Sequence, residues 1–232
     1  MTAIITSHII KPTMVRKTVI TLLKSFFSTA ICLFLAAGTI AYWQAWVFLP
    51  VFIIPMALIA LYTVQQSPDL AGRRLAVKEQ RPGQTIIAIL FYVSVYLNFF
   101  LSGLDHRFNW SFVPLWAVVL AEILFLAGYY LLFLVFKENK YLAHTVTVEK
   151  GQPTITTGPY AIVRHPMYLA ELIMFIFAPL ALGSYLAMTA NILLIVVLAT
   201  RIITEENVLL RGLEGYKDYT QKTRYRLIPG IW

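Results

Sequence analysis

Charged residues are scarce in this 232-residue chain, and acidic ones are scarcest, with 11 Asp and Glu against 19 Lys and Arg. Charged side chains make up 13% of the sequence and hydrophobic ones 59%, and the mean hydropathy is +0.72. Soluble globular domains carry about 25% charged residues. The shortage of charge therefore excludes an ordinary soluble enzyme and predicts an integral membrane protein.

Cysteine is nearly absent, and so are the usual cofactor motifs. The single Cys32 lies within the first apolar run. One thiol forms neither a disulfide framework nor a thiolate metal site, so we predict no metal site and assign Cys32 to packing. The chain has no glycine-rich nucleotide loop, no HExxH zinc motif and no Ser-His-Asp arrangement with recognisable spacing. The cofactor chemistry of soluble enzymes is thereby excluded.

Long apolar runs are abundant instead. A spanning helix needs roughly 20 apolar residues, and four runs reach that length: 19–42, 46–64, 85–104 and 113–136. A fifth stretch, 167–200, is broken near Pro179 and Gly183, which predicts two short helices folded as a hairpin. The first run is too long for a signal peptide, so we expect it to be retained. The predicted fold is all-α, a polytopic bundle of four spans plus a C-terminal helical hairpin.

The net charge of +8 follows the predicted topology. Basic residues cluster before the first span, between the second and third, after the fourth and in the tail, and Arg107 alone falls elsewhere. This is the positive-inside pattern. We expect a multi-pass protein of a bacterial inner membrane with both termini in the cytoplasm. The basic residues would contact anionic membrane lipid, and no nucleic-acid partner is expected.

No second domain, repeat or low-complexity linker is evident, so we treat 1–232 as one membrane domain, divided into apolar helices (1–136) and a more polar region (137–232). Ser67-Pro68-Asp69 signals a helix start. Weak alternation within 137–165 favours a short hairpin or extended segment. Helical spacing predicts one amphipathic C-terminal helix. Its apolar face would carry Val208, Leu209, Leu210, Leu213 and Tyr216.

Polar residues concentrate at both ends of the predicted hairpin. Because a hairpin turns back on itself, the two ends are predicted to meet at the cytoplasmic surface. Taken singly, they have ordinary explanations, such as an interface anchor, a helix cap or an exposed carboxylate. Together, at membrane depth, they favour a functional site. They are Tyr160, Arg164, His165 and Tyr168 at the first end, and Arg201, Glu205 and Glu206 at the second.

The stretch "TTGPYAIVRHPMYLA", an apolar hairpin and "RIITEENVLL…GYKDY…RYRLIPG" resemble the isoprenylcysteine carboxyl methyltransferase family. Its wider class of integral-membrane methyltransferases includes phospholipid N-methyltransferases. The resemblance implies methyl transfer from S-adenosylmethionine, with S-adenosylhomocysteine as product. It also implies a cytoplasmic cofactor pocket and a catalytic region over 137–232. One departure is Ala170, where the family commonly has glycine.

The resemblance also implies residue roles. Arg201 would face the acceptor. The implied cofactor-binding residues lie in or beside the quoted motifs. They are Glu149, Gln152, Pro153, Thr154, Ile155, Tyr160, His165, Pro166, Met167, Tyr168 and Glu205.

The residue types suit this cofactor on chemical grounds. Tyrosine faces attract a sulfonium, Glu205 can pair with the ammonium, and His165 with nearby backbone N–H groups can meet the carboxylate. An ionised carboxylate acceptor is already nucleophilic, and the guanidinium of Arg201 would orient it. An amine acceptor must first lose a proton to a base such as Glu206.

We expect a lipophilic acceptor that enters from the bilayer, with the carboxylate of a prenylcysteine-like molecule preferred. A phospholipid amine and a thiol stay open, as does the oligomeric state. Two other classes also stay open. An NADPH-dependent membrane reductase would bind NADPH and ignore adenosylmethionine. A non-catalytic transporter or scaffold would place polar residues at mid-membrane, where the candidates are Glu122 and Asn191.

Overall fold

The computed structural model describes residues 12–75, 82–142, 148–149 and 151–232. Within these ranges the regular structure is helical and no strand is present, as predicted. The α-helices are α1 (Pro12–Ala37), α2 (Trp43–Gln66), α3 (Pro68–Leu75), α4 (Pro82–Phe108), α5 (Leu115–Glu138), α6 (Pro166–Ala181), α7 (Asn191–Gly212) and α8 (Tyr216–Lys222). Short 3-10 helices at Gly158–Ala161 and Leu186–Ala190 precede α6 and α7.

Five of the described helices are long and apolar enough to cross a membrane: α1, α2, α4, α5, and α7 taken with the turn before it. This supports the predicted integral membrane protein. The final apolar stretch differs from the predicted pair of short helices. α6 is short, with 16 residues, whereas α7 reaches spanning length. The reason is that the polar residues from Arg201 onward continue the helix to Gly212.

Helix boundaries follow glycine and proline signals. Gly38, at φ +65°, ends α1 at Ala37 rather than at the predicted residue 42. Gly183, at φ +77°, lets the chain turn from α6 toward α7. Glycine takes this left-handed conformation without the steric cost that a side chain brings. The helix start predicted at Ser67-Pro68-Asp69 is confirmed, because α3 begins at Pro68.

Close helix contacts depend on small residues. A Cβ atom at Gly128 of α5 would lie 2.5 Å from Cγ of Met174 in α6. A Cβ atom at Gly103 of α4 would lie 2.6 Å from Cβ of Ala36 in α1. Small residues let helix backbones approach closely in membrane proteins. The Gly128 contact holds α6 against α5 and so positions the start of α6, where the polar motif lies.

One end of the bundle is closed by a buried carboxylate. Asp105 of α4 is 1% exposed and accepts the backbone N–H of Ser111 at 2.8 Å. It also accepts the hydroxyls of Ser111 and Ser184. Tyr42 donates its hydroxyl to the carbonyl of Leu182 at 2.5 Å. We call this the Asp105 end, and we call the opposite end, where α6 begins and α7 ends, the pocket end.

The two mid-membrane candidates of the transporter hypothesis have different surroundings. The Asn98 side-chain N–H donates to Oδ1 of Asn191 at 3.0 Å and to the carbonyl of Phe175 at 3.3 Å. This contact ties α4 to α6 and α7, which gives Asn191 a packing role. Glu122 is buried in α5, and its carboxyl oxygens have no hydrogen-bond partner within the described ranges.

The predicted single amphipathic helix at the C-terminal end is wrong. α7 carries Val208, Leu209 and Leu210, and it ends at Gly212. Gly215, at φ +76°, then reverses the chain before α8 begins at Tyr216. The physical reason is that Leu213 takes an extended conformation and Gly215 a left-handed one, and together they interrupt the helix. The hairpin or extended segment predicted within 137–165 falls partly on 143–147 and 150, which lie outside the described residues.

Candidate active site

The motif "GPYAIVRHP" forms a turn that leads into α6. Gly158 takes φ +58°, and Pro166 occupies the first position of the helix, where proline is favoured. His165 precedes the helix but makes no side-chain cap hydrogen bond, and it is 4% exposed. A solvated cap therefore does not explain His165. We call residues 158–166 the RHP turn.

The C-terminal tail, residues 223–232, fixes the backbone of the RHP turn. The N–H of Arg164 donates to the carbonyl of Tyr225, and the N–H of His165 donates to the carbonyl of Arg226, both at 2.9 Å. The guanidinium of Arg164 donates to the carbonyls of Thr223 and Arg224 at 2.9 and 2.7 Å. The tail thus holds the turn by main-chain bonds, and the amides of residues 164 and 165 are already used. These two N–H groups are therefore not available to a bound carboxylate.

The two ends of the α6–α7 hairpin meet through side chains. Tyr168 of α6 donates its hydroxyl to Oε2 of Glu205 in α7 at 2.5 Å. Nε of Arg201 lies 3.3 Å from the Tyr168 hydroxyl oxygen, and Nη1 of Arg201 donates to Oε1 of Gln84 in α4. His165 approaches the same carboxylate, with 4.0 Å between its Nδ1 and Oε1 of Glu205. The turn at Gly183 has brought residues that are far apart in sequence into one cluster.

This cluster forms part of the wall of a cavity at the pocket end. Four parts of the chain contribute to this wall: the segment before the RHP turn, the RHP turn itself, the polar part of α7, and α8. Its lining is Asn139, Tyr141, Leu142, Gln152, Pro153, Thr154, Ile155, Tyr160, Arg164, His165, Pro166, Met167, Tyr168, Arg201, Glu205, Leu209, Leu213, Tyr216 and Tyr219.

A family model covers most of the residues that line this cavity. Residues 119–211 match the model of the isoprenylcysteine carboxyl methyltransferase (ICMT) family. The match covers less than half of the 232-residue chain, and this region is similar to that family. The match begins within α5 and ends within α7, so it contains the RHP turn and both glutamates but not the tail. A search of the curated proteins gave no match to the chain.

The matched region is thus similar to a family of methyltransferases, and the chain carries five described helices long and apolar enough to cross a membrane. Of the residues implied to bind the cofactor, all but Glu149 line the cavity. Glu149 is exposed, and its backbone N–H donates to Oε1 of Gln152 at 3.0 Å. Its side chain is thus the one that the structure does not bring to the cavity wall.

Glu206, the candidate base, does not line the cavity. It is 4% exposed, and its two oxygens accept from Nε of Arg164 and Nε of Arg226, each at 2.6 Å. Nε2 of His165 lies 3.4 Å from Oε1 of the same carboxylate. Because both oxygens are engaged by guanidinium groups, the geometry argues against a role as a base. Glu206 joins the RHP turn, α7 and the tail.

Sequence reasoning missed several lining residues that position Tyr160. The side-chain N–H of Asn139 donates to the Tyr160 hydroxyl at 2.9 Å. The Tyr219 hydroxyl donates to the Tyr160 carbonyl at 2.7 Å. The hydroxyl of Tyr216 is buried and has no hydrogen-bond partner among the described residues. A signal was present, because "KENKY" and "GYKDY" both fall in the basic stretches that the sequence predicts to share one side of the membrane.

Burial sets the protonation state of the tyrosines outside the membrane helices. Burial raises the pKa of Tyr160, and burial together with the charges of Glu206 and Glu205 raises the pKa of Tyr216. Burial raises the pKa of Tyr219 to about 12. These hydroxyls therefore stay protonated near neutral pH and act as donors. Within the described ranges, no group of three or more His, Cys, Asp or Glu is placed to hold a metal ion.

Proposed function

We propose that this protein transfers a methyl group from S-adenosylmethionine to a lipophilic acceptor at the pocket end. The observation that carries the proposal is the bond between Tyr168 and Glu205, which closes the α6–α7 hairpin beside the RHP turn at 2.5 Å. A cavity with this carboxylate, several tyrosine rings and a buried imidazole lies next to it. From the positive-inside pattern, the cavity would face the cytoplasm.

The lining residues fit the parts of the cofactor. Glu205 offers a carboxylate to an ammonium, and the faces of Tyr160 and Tyr168 can attract a sulfonium. Tyr216 lines the same cavity, and its buried hydroxyl has no hydrogen-bond partner among the described residues. When bound, S-adenosylmethionine would supply an electrophilic methyl group. The protein's own task is then to orient the two reactants and to exclude water.

Arg201 is the residue best placed to orient the acceptor. It lies in the cavity wall, one helical turn from Glu205, and its guanidinium is held by Gln84 and Tyr168. A held guanidinium matches a carboxylate by forked hydrogen bonding. A carboxylate acceptor needs no base, which agrees with the engagement of Glu206 by two arginines. The proposed acceptor is therefore the carboxylate of a prenylcysteine-like molecule.

The proposal is tested by ligand binding and by product formation with purified protein in detergent. Titration calorimetry with S-adenosylhomocysteine should give saturable binding to the wild type. Glu205→Gln should weaken it roughly 10- to 100-fold, the effect of losing one charged hydrogen bond. Glu214→Gln is the matched control, since Glu214 is exposed and lies outside the cavity lining.

Product formation uses radiolabelled S-adenosylmethionine and N-acetyl-S-farnesylcysteine. A base-labile labelled ester is the expected product, because the ester forms on the carboxylate. Binding of NADPH without binding of S-adenosylhomocysteine would contradict the proposal and support a reductase. Equal affinity in wild type and Glu205→Gln would remove Glu205 from the cofactor site.

A further inference from the structure

The C-terminal tail lies outside the region that matches the family, and one of its side chains contacts a carboxylate beside the cavity. Nε of Arg226 donates to Oε2 of Glu206 at 2.6 Å. The Glu206 side chain is 5% exposed, whereas that of Arg226 is 37% exposed, so Arg226 covers the outer side of a buried carboxylate. Arg226 does not line the cavity. Its side chain is therefore connected with the site through Glu206.

Glu206 lies between Arg226 and the buried imidazole of His165. Oε1 of Glu206 lies 3.4 Å from Nε2 of His165, and Nε of Arg164 donates to the same oxygen at 2.6 Å. Nε2 is buried and makes no aligned hydrogen bond among the described residues. A buried polar atom without a hydrogen bond costs free energy, so the ring depends on the nearby carboxylate to offset that cost. The position of Glu206 therefore governs the orientation of the imidazole.

The other ring nitrogen of His165 lies near a carboxylate of the cavity wall. Nδ1 is 4.0 Å from Oε1 of Glu205, and both residues line the cavity. A carboxylate only accepts hydrogen bonds, so Glu206 favours a hydrogen on Nε2. The group at one imidazole nitrogen decides the hydrogen-bonding role of the other. Glu206 thus controls what Nδ1 offers to a ligand in the cavity.

Arg226 also holds the main chain of His165. The carbonyl of Arg226 accepts the N–H of His165 at 2.9 Å. This bond uses no side-chain atom, so substitution of the Arg226 side chain does not remove it. The contact through Glu206 can therefore be tested separately from the main-chain contact.

We propose that Arg226 is a positioning residue of the cofactor site, which orients the imidazole of His165 through Glu206. The inference rests on the proposed function and extends its site into the tail. Because Glu205 is assigned to the ammonium of the cofactor, the neighbouring His165 serves the same amino-acid end. Arg226 then affects the binding of that end and not the binding of the nucleoside part. The link is a chain of contacts in which each group holds the next.

The first test compares two ligands by calorimetry on the full chain in detergent. S-adenosylhomocysteine carries the amino-acid part, and methylthioadenosine lacks it. Arg226→Met should weaken S-adenosylhomocysteine about fivefold or more, as expected for contacting residues. Arg226→Lys should keep part of the affinity because it retains a charged donor. The matched control is Arg224→Met, since Arg224 is exposed in the same tail, and it should behave as wild type.

Methylthioadenosine separates positioning from general loosening of the fold. Its affinity should change by less than about twofold in Arg226→Met. Equal weakening of the two ligands would overturn the inference, and so would an unchanged affinity for S-adenosylhomocysteine. Arg164 still holds Glu206 in this variant, so it is expected to fold. Unfolding is measured on the same samples, and Arg226→Gln takes its place should Arg226→Met not fold.

A double-mutant cycle tests whether the effect passes through His165. In the His165→Gln background, Arg226→Met should cause little further loss of S-adenosylhomocysteine affinity, because the ring that Arg226 positions is absent. The same loss in both backgrounds would overturn the inference. Absence of S-adenosylhomocysteine binding in the wild type would contradict the proposed function and this inference with it. An unchanged Arg226→Met beside a wild type that binds would contradict this inference alone.

Discussion

Asp105 and Glu205 are carboxylates at opposite ends of the bundle, and their surroundings differ. Asp105 is 1% exposed and accepts two hydroxyls and one backbone N–H from two loops. The side chain of Glu205 is 24% exposed, accepts the Tyr168 hydroxyl and lines a cavity. Asp105 uses its hydrogen-bonding capacity to join two loops, whereas Glu205 keeps part of its hydrogen-bonding capacity beside the cavity. Unused capacity beside a cavity, rather than polarity alone, distinguishes a site from a structural contact.

Glu206 sharpens this comparison, because it neighbours Glu205 in sequence and yet resembles Asp105. Both of its oxygens are engaged by arginines from the RHP turn and the tail. Helical geometry explains the difference, since adjacent residues on a helix point about 100° apart. One glutamate therefore faces the cavity and the other faces the tail.

The largest expected effect is on stability, in Glu206→Gln. Removing this charge leaves Arg164, 8% exposed at its side chain, without its ionic partner. Breaking a buried ion pair in this way costs about 3 kcal/mol or more. Thermal and denaturant unfolding in detergent would measure the loss, with Glu205→Gln as the matched variant that changes stability little. Equal stability of the two variants would contradict the distinction between these glutamates.

Asp105→Asn should have the next largest effect, again on stability alone. The substitution weakens the bonds to Ser111 and Ser184, and the expected loss is about 2 kcal/mol. S-adenosylhomocysteine affinity should stay within twofold of wild type because the Asp105 end lies far from the cavity. A marked loss of affinity in a variant that still folds would mean that the two ends of the bundle are coupled.

Arg201→Gln should affect turnover more than stability. Loss of the acceptor contact is expected to lower kcat/KM about tenfold, equivalent to about 1.4 kcal/mol. S-adenosylhomocysteine affinity, measured by calorimetry, should change by less than twofold. Normal turnover with N-acetyl-S-farnesylcysteine would remove Arg201 from the acceptor side of the site.

Tyr216→Phe should produce the smallest effect. It is the sharpest test of whether a hydroxyl without a protein partner serves the cofactor. The hydroxyl has no protein partner among the described residues, so its removal should change the free energy of unfolding by less than about 1 kcal/mol. If the hydroxyl serves the cofactor, affinity should fall about fivefold, the value of one neutral hydrogen bond. Tyr219→Phe, which loses a bond to Tyr160, is the contrasting variant and should lose stability. The reverse pattern would show that Tyr216 only packs.

Much of the fold followed from the sequence because bilayer-spanning helices have a strong signal. Runs of apolar residues marked α1, α2, α4 and α5, and the break near Gly183 marked the hairpin. Boundaries were less predictable, since Ala37 ends α1 only because Gly38 takes a left-handed conformation. The break between α7 and α8 was also missed, because it depends on the extended Leu213 and the left-handed Gly215. Hydropathy reports average environment and not the local dihedral angle.

The candidate site was predictable where two motifs bracket a hairpin. Tyr168 and Glu205 could be paired from the sequence, because a hairpin brings its ends together. The different surroundings of Glu205 and Glu206 could not be predicted, because they depend on the rotation of α7 and on the path of the tail.

The main-chain hydrogen bonds between the tail and the RHP turn connect the cavity with a tryptophan whose fluorescence can be measured. Trp232 sits at the pocket end, with the guanidinium carbon of Arg226 5.4 Å from the centre of its ring. The other four tryptophans, Trp43, Trp46, Trp110 and Trp116, lie in or beside the helix starts at the Asp105 end. Any displacement of His165 must pull on the carbonyl of Arg226 and so alter the electric field at this indole. Trp232 is thus a native fluorophore whose emission can report ligand binding in the cavity.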